Sequence, residues 1–417
     1  MSKIKESFVF DIANLIREEK RYLLLASPIF AERIKNNNFK SLTIDYLQWE
    51  NSVETIFKYG LSGIIFTNLK KAGLLDLLPE KEKLKLQHLY HSNAARNALI
   101  SQILDTLSQL FKENGKTFLL LQGTALISDI YPQPAMRYLS DIDIMIKPDD
   151  IKDVDNILRE NGFTATNFPG DLKWCFENLN HMPHYYYPGF NSPIEIHFKT
   201  ADTFFDDAPN SNWIWEDCKE SKDGKNYKIP SAENLLLSIS AHIAKKSHIA
   251  DLRFIPRHCC DINAVIDKYA DSLNSKILFE RASKNNLLDS LAYSLAMTKI
   301  FFPTEKVIKL ADESEKLSSD TCINLAETVV KFLLCEKSDE ILLDGWMTFF
   351  KKPGIWKKLL FLATHIFPSP KRMKDIYGSD AKGIKLISYY FSRPLHLINR
   401  FSFSRIKFSS RLAKTKK

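Results

Sequence analysis

The stretch Thr117–Ile146, TFLLLQGTALISDIYPQPAMRYLSDIDIMI, decides how this chain is read. Phe118–Leu121 is a short apolar run that predicts a strand. Gly123 and Thr124 break it, a short helix follows, and Pro132 and Pro134 end that helix. The run Ser-Asp-Ile-Asp-Ile-Met-Ile then predicts a second strand carrying Asp141 and Asp143. Side chains on a strand alternate faces, so the two acids share one face while Ile142, Ile144 and Ile146 share the other. Two acids beside a buried apolar face are costly unless something positive binds them. A divalent cation holding a triphosphate is the obvious candidate.

A third segment answers to these acids. In Pro193-Ile-Glu-Ile-His-Phe198 the alternation puts Glu195 and His197 on one face and Ile194, Ile196 and Phe198 on the other. Three carboxylates on neighbouring strands would form an oxygen-rich cradle for one or two Mg²⁺ ions. His197 suits either a structural bond to a neighbouring acid or a catalytic role. His181 and His184 lie in the loop before this strand. With His197 they make three imidazoles, but no fourth ligand is spaced for zinc.

The turn offers further binding groups. Gly123 lets a phosphate approach the backbone, and Thr124 supplies a hydroxyl at a helix start, where amides favour anions. Arg137, four residues before Asp141, can neutralise phosphate or pair with a carboxylate. Lys245 and Lys246 end a helix that Pro230-Ser231 opens, and can face the phosphates. Arg257 and Asp261 are four apart and can pair on a helix.

Around this core the chain reads as helical. Leu84–Phe111 predicts a long helix with a stripe of Leu86, Leu89, Ala94, Ala98, Ile103, Leu107 and Leu110, stopped at Asn114-Gly115. Ile151, Val154, Ile157 and Leu158 stripe another helix, with Asp149, Asp150 and Asp153 as capping or dipole charges at its start. Residues 275–345 predict more helix. At 417 residues the chain is too long for one compact core. The expected divisions are 1–114 (helical), 115–230 (sheet core), 231–345 (helical) and 346–417 (a basic, aromatic extension).

Charge is uneven. From Lys351 to Lys417, 17 Lys+Arg stand against Asp375 and Asp380; this stretch carries +15, the whole chain +8, and the remainder −7. That asymmetry suits an anionic partner, a membrane surface or nucleic acid, or a solvated basic surface. No apolar run of membrane-spanning length occurs and no secretory signal opens the chain. The six cysteines have no metal-ligand spacing. A cytoplasmic location, possible at the inner membrane surface, is expected.

The pattern Gly123-Thr124, Arg137, Asp141-Ile-Asp143 and Glu195 resembles the nucleotidyltransferase superfamily that includes DNA polymerase beta and the tRNA CCA-adding enzymes. More closely, Leu121-Gln-Gly-Thr-Ala-Leu126, Tyr131-Pro132, Arg137–Asp143, Ile194–His197, the helix around Leu237–Lys245 and Asp261 resemble a poorly characterised bacterial branch met near surface-polysaccharide and peptide-modification genes. The resemblance implies an α+β fold, a small mixed sheet with helical domains on its N- and C-terminal sides. It implies Asp141, Asp143 and Glu195 as catalytic ligands of two Mg²⁺ ions. Gly123, Thr124, Arg137 and Lys245 would then bind the nucleotide. The reaction implied moves a nucleoside monophosphate from an NTP to a hydroxyl on a sugar, small molecule or protein. Two other outcomes are an RNA or tRNA transferase and a non-catalytic nucleotide- or partner-binding module. Gln122 departs from the branch, whose members commonly have lysine there.

Overall fold

The computed structural model describes residues 18–28, 52–166, 171–200, 202–205, 211–245, 252–335, 366–367, 373 and 383–400. These fall into two compact units. One holds the described residues from 18 to 335 save Leu252; the other holds Leu252 with those from 366 to 400. In the second unit the helix Gly383–Arg400 contains Pro394. Most of the basic extension expected at 346–417 lies outside the described residues, as does Lys246.

The first unit is an α+β body around one mixed sheet of seven strands. They are β1 (Phe118–Leu120), β2 (Ile142–Met145), β3 (Thr164–Ala165), β4 (Tyr185–Tyr186), β5 (Ile194–His197), β6 (Lys219–Glu220) and β7 (Tyr227–Ile229). Their order is β3-β4-β5-β2-β1-β7-β6. β2 runs antiparallel to β1 and parallel to β5, while β1 runs parallel to β7. β1 is apolar on both faces and reads as a continuous hydrophobic run, whereas β2 is buried along its length but carries Asp143 on one face. Phe118, Ile142, Ile144, Ile194 and Ile196 are fully buried.

Helices flank the sheet in sequence on both sides. Before it come α1 (Ser52–Lys58), α2 (Ser62–Ala72) and α3 (Glu80–Glu113). Within it are the short α4 (Gln122–Ala125), continued by a wider turn to Ile130, then α5 (Ile151–Glu160) and α6 (Leu172–Asn178). After it come α7 (Ala232–Ile243), α8 (Ile255–Lys268), α9 (Ser275–Lys284), α10 (Leu288–Phe301), α11 (Glu305–Glu315) and α12 (Asp320–Cys335). α10 is buried among α7, α8, α11 and α12 and forms the centre of that helical layer. Ser231 caps α7 as expected, its side chain accepting from Asn234 N. α5 buries Ile151, Val154, Ile157 and Leu158, the stripe read from sequence. Asp150 and Asp153 hold Lys116 Nζ, each at 2.6 Å.

The long helix α3 departs from its expected stripe. Ala98 is exposed, Leu86, Ile103 and Leu107 of that stripe are buried, and Asn93, Asn97, Ile100, Leu104 and Phe111 join them. The displacement has a polar cause. Asn97 donates to the carbonyls of Pro134 (2.6 Å) and Arg137 (2.8 Å), and Asn93 to that of Ala135 (3.3 Å). One turn of the same helix sends Arg96 to the carbonyls of Leu139 and Ser140 and to Ser192 Oγ. The helix therefore clamps the loop that leads into β2. α2 seals it from another side: a Cβ on Gly63 would stand 2.0 Å from the Ala135 carbonyl oxygen.

Candidate active site

The register between β2 and β5 builds the site. Asp143 lies directly opposite Glu195, Ile142 opposite Ile194, and Met145 opposite His197. Asp143, Glu195, Met145 and His197 thus occupy one face, above the buried isoleucines. One ligand atom each from Asp143, Glu195 and His197 comes within 4.8 Å of the others. Two of the three expected acids converge in this way. Asp141 stands one residue ahead of β2, half-buried, and takes a hydrogen bond from Ser140 Oγ at 2.9 Å. It does not enter the tight cluster, but its charge acts on Asp143 and Glu195.

The electrostatics are those of a site short of positive charge. Burial raises the pKa of Asp143 far above the carboxylate range, and Asp141 adds to the rise. Burial also raises Glu195, with Asp143 the next cause. His197 accepts from Asn180 Nδ2 at its Nδ1 (3.1 Å), so its Nε2 carries the proton and donates to Asp143 Oδ1 at 3.1 Å. Burial, seconded by Lys245, lowers the His197 pKa to about 4. This imidazole is neutral, and it orients Asp143 without neutralising it.

The glycine turn supports this pair from beneath. Thr124 is fully buried, and its Oγ1 accepts from the backbone N–H of Asp143 at 2.9 Å. Thr124, expected from sequence to touch phosphate, is here a tether that fixes β2. Gly123 packs closely: a Cβ there would stand 2.5 Å from Leu139 Cδ2, so that side chain would have to shift. Gln122 takes φ +42, a backbone strain seldom accepted by a residue with a side chain. It opens onto a small cleft that Met145, His197, Lys199, His242 and Lys245 also line. Lys245, named from sequence as a phosphate ligand, is one of these lining residues.

Arg137, read from sequence as a phosphate or carboxylate partner, pairs with a carboxylate here. Its guanidinium is buried and forks onto Asp261, Nε to Oδ1 at 2.8 Å and NH2 to Oδ2 at 2.9 Å. Tyr131 Oη also donates to Asp261 Oδ1 at 2.8 Å. The expected Arg257–Asp261 pair is consequently not made. Arg257 is buried, Phe254 lies 5.1 Å beneath it, and among the described residues it has no hydrogen bond or ion pair. Its Nε is buried without a partner. Burial first, then the adjacent Arg137, lowers its pKa to about 10, against the pull of Asp261 and Asp141. Sequence spacing pointed to Arg257 only as a local helix pair, because Asp261 was visible and Arg137, 124 positions away, was not.

A mixed sheet whose two parallel central strands hold an acid pair abreast, tethered to a glycine turn, is a nucleotidyltransferase-type core. The chain belongs to the family described as "uncharacterised nucleotidyltransferase", whose model matches residues 45–303. No curated protein and no solved structure matches it.

Proposed function

We propose that this chain transfers a nucleoside monophosphate from an NTP to an acceptor hydroxyl, assisted by Mg²⁺. The observation that carries the reading is Asp143, buried, in register with half-buried Glu195 on adjacent parallel strands. Oxygen donors whose ionised forms are disfavoured by burial and mutual repulsion fit a hard divalent cation. Asp143 and Glu195 would hold it, with Asp141 completing the acidic edge. The ion would offset charge on the transferring phosphoryl group and lower the pKa of the attacking hydroxyl.

The chain's own contribution is placement. His197 and Thr124 fix Asp143 through its side chain and its amide, respectively. Lys245 and Lys199 line the adjoining pocket and supply the positive edge that Gln122 does not. Arg257, buried and uncompensated within reach of Asp141's charge, suits the triphosphate or an anionic acceptor; Arg137 is committed to Asp261. The experiment follows pyrophosphate release from each of the four NTPs with Mg²⁺ over a panel of sugar, small-molecule, protein and RNA acceptors. Wild type is expected to exceed Asp143→Asn by at least ~10²-fold, about 2.7 kcal/mol of barrier. Equal rates across the panel would remove the reading and leave a binding module.

A further inference from the structure

A second cluster of metal-ligating side chains borders the carboxylate pair. One ligand atom each from His181, His184 and Glu195 lies within 4.8 Å of the others. The loop that carries the two histidines is sewn to the sheet. His181 bridges His197 in antiparallel fashion, and Met182 N donates to Ile196 O at 2.8 Å. The carbonyl of His184 accepts from Thr166 N at 2.9 Å. Both rings are thus held by backbone, and they stack with centroids 5.2 Å apart.

The tautomer of His181 follows from its partner. Nδ1 is 2.7 Å from the Met182 carbonyl oxygen, which can only accept, so Nδ1 carries the proton. Nε2 then presents a lone pair. An imidazole whose other N–H is fixed on a backbone carbonyl is how metal-binding histidines are oriented. Glu195 divides its two oxygens. Oε1 is 3.4 Å from His184 Nε2, while Oε2 turns toward His197 Nε2 at 3.7 Å. One oxygen serves the His181–His184 pair and the other faces Asp143's side.

We propose that His181, His184 and Glu195 bind one divalent first-row transition-metal ion, of the Zn²⁺, Co²⁺ or Mn²⁺ kind, next to the Asp143–Glu195 pair. Imidazole nitrogen suits these ions, whereas Mg²⁺ takes oxygen donors and keeps its waters. Three protein ligands leave a coordination position open to water or a substrate oxygen. His197 stays outside the ligand set because its Nε2 proton is engaged by Asp143. The inference rests on the nucleotidyltransferase reading only through Glu195, which the two sites share.

The test uses the full chain, stripped with EDTA and titrated with Co²⁺ in the presence of excess Mg²⁺. Binding is followed by calorimetry and by visible absorption. The expected result is one Co²⁺ per chain, not displaced by Mg²⁺, with affinity reduced at least ~10-fold in His181→Gln and in His184→Gln. Where either variant loses its native circular dichroism, His184→Cys reads ligation directly, through a new thiolate-to-cobalt charge-transfer band. No Co²⁺ binding by the wild type would overturn the proposal. Unchanged affinity in folded glutamine variants, or a His184→Cys protein without the new band, would do the same. Pyrophosphate release separates the two readings. An inactive wild type that still binds Co²⁺ through these histidines sinks the transferase alone, and an active one that binds no Co²⁺ sinks the metal site alone.

Discussion

Arg257 holds a charge the protein does not balance. A buried guanidinium without a paired anion costs several kcal/mol, and the Phe254 ring beneath it and the more distant Asp261 and Asp141 charges offset only part of that. Asp261, the nearest candidate, is already taken twice over by Arg137 and once each by Tyr131 and His258. A residue that weakens the fold persists where a ligand needs it. Replacing Arg257 by Met is therefore expected to leave the urea midpoint equal or higher. The same variant should bind NTP at least ~10-fold more weakly, a loss of about 1.4 kcal/mol. Lys at 257 should restore only part of the affinity, because an ammonium cannot fork onto phosphate oxygens. Urea titration and nucleotide calorimetry on the same preparations check this. A lower midpoint with unaltered binding would make Arg257 a structural residue and contradict the prediction.

Elements bring these residues together, and they also mark what sequence could and could not disclose. β2 and β5 were legible because period-two alternation and burial coincide in Ile142–Met145 and Ile194–His197. α5 and α7 were legible from stripe and cap. The face shared by Asp143 and Glu195 was legible too, but their register is a tertiary fact that no local period encodes. The Arg137–Asp261 fork and the Thr124 tether join distant positions, and spacing alone offered nearer partners. The stripe of α3 misled for a definite reason. An apolar count skips Asn93 and Asn97, yet these are the buried positions, since the helix faces carbonyls and not only side chains there. Asn97→Ala would leave the Arg137 carbonyl without its partner and the Pro134 carbonyl with only the Arg137 N–H at 3.4 Å. The expected cost is about 1–3 kcal/mol. Asn93→Ala, which frees one longer bond of 3.3 Å, should cost less than half of that. Chemical denaturation of the two variants decides it, and equal losses would mean that the helix is held by its apolar contacts alone.

At the scale of the molecule, one buried polar junction ties the sheet's active-site turn to the helical layer that follows. Tyr131 and Arg137 come from the turn; His258 and Asp261 come from α8. Its acid response can be signed. His258 has a pKa lowered from 6.5 to about 4, by burial first and by Arg257 and Arg137 among the charges, with Asp261 opposing. His242, whose ring centroid is 5.1 Å from that of His258, is the other imidazole facing it. Between those two values the unfolded chain binds the proton that the folded one refuses. Stability is therefore intact above about pH 6.5 and is lost as pH falls toward 4, by up to about 3 kcal/mol. Arg137 and His258 hold Asp261 well below the usual carboxylate range, so it acts with the same sign at lower pH. Its contribution is present above pH 3.8 and disappears as pH drops further, when the carboxylate is protonated and Arg137 is left buried without a counter-charge. Acid should thus undo the junction in two stages. His258→Asn, which keeps a donor toward Asp261 but cannot take up a proton, should abolish the first stage and retain the second. Stability measured against urea from about pH 7 down to pH 3 would show the difference as a slope. The wild type should lose up to about 1.4 kcal/mol more per pH unit than the variant between about pH 6.5 and pH 4. Parallel profiles for the two proteins would mean that His258 is protonated in the folded state, with Asp261 as its counter-ion and not as the exclusive partner of Arg137.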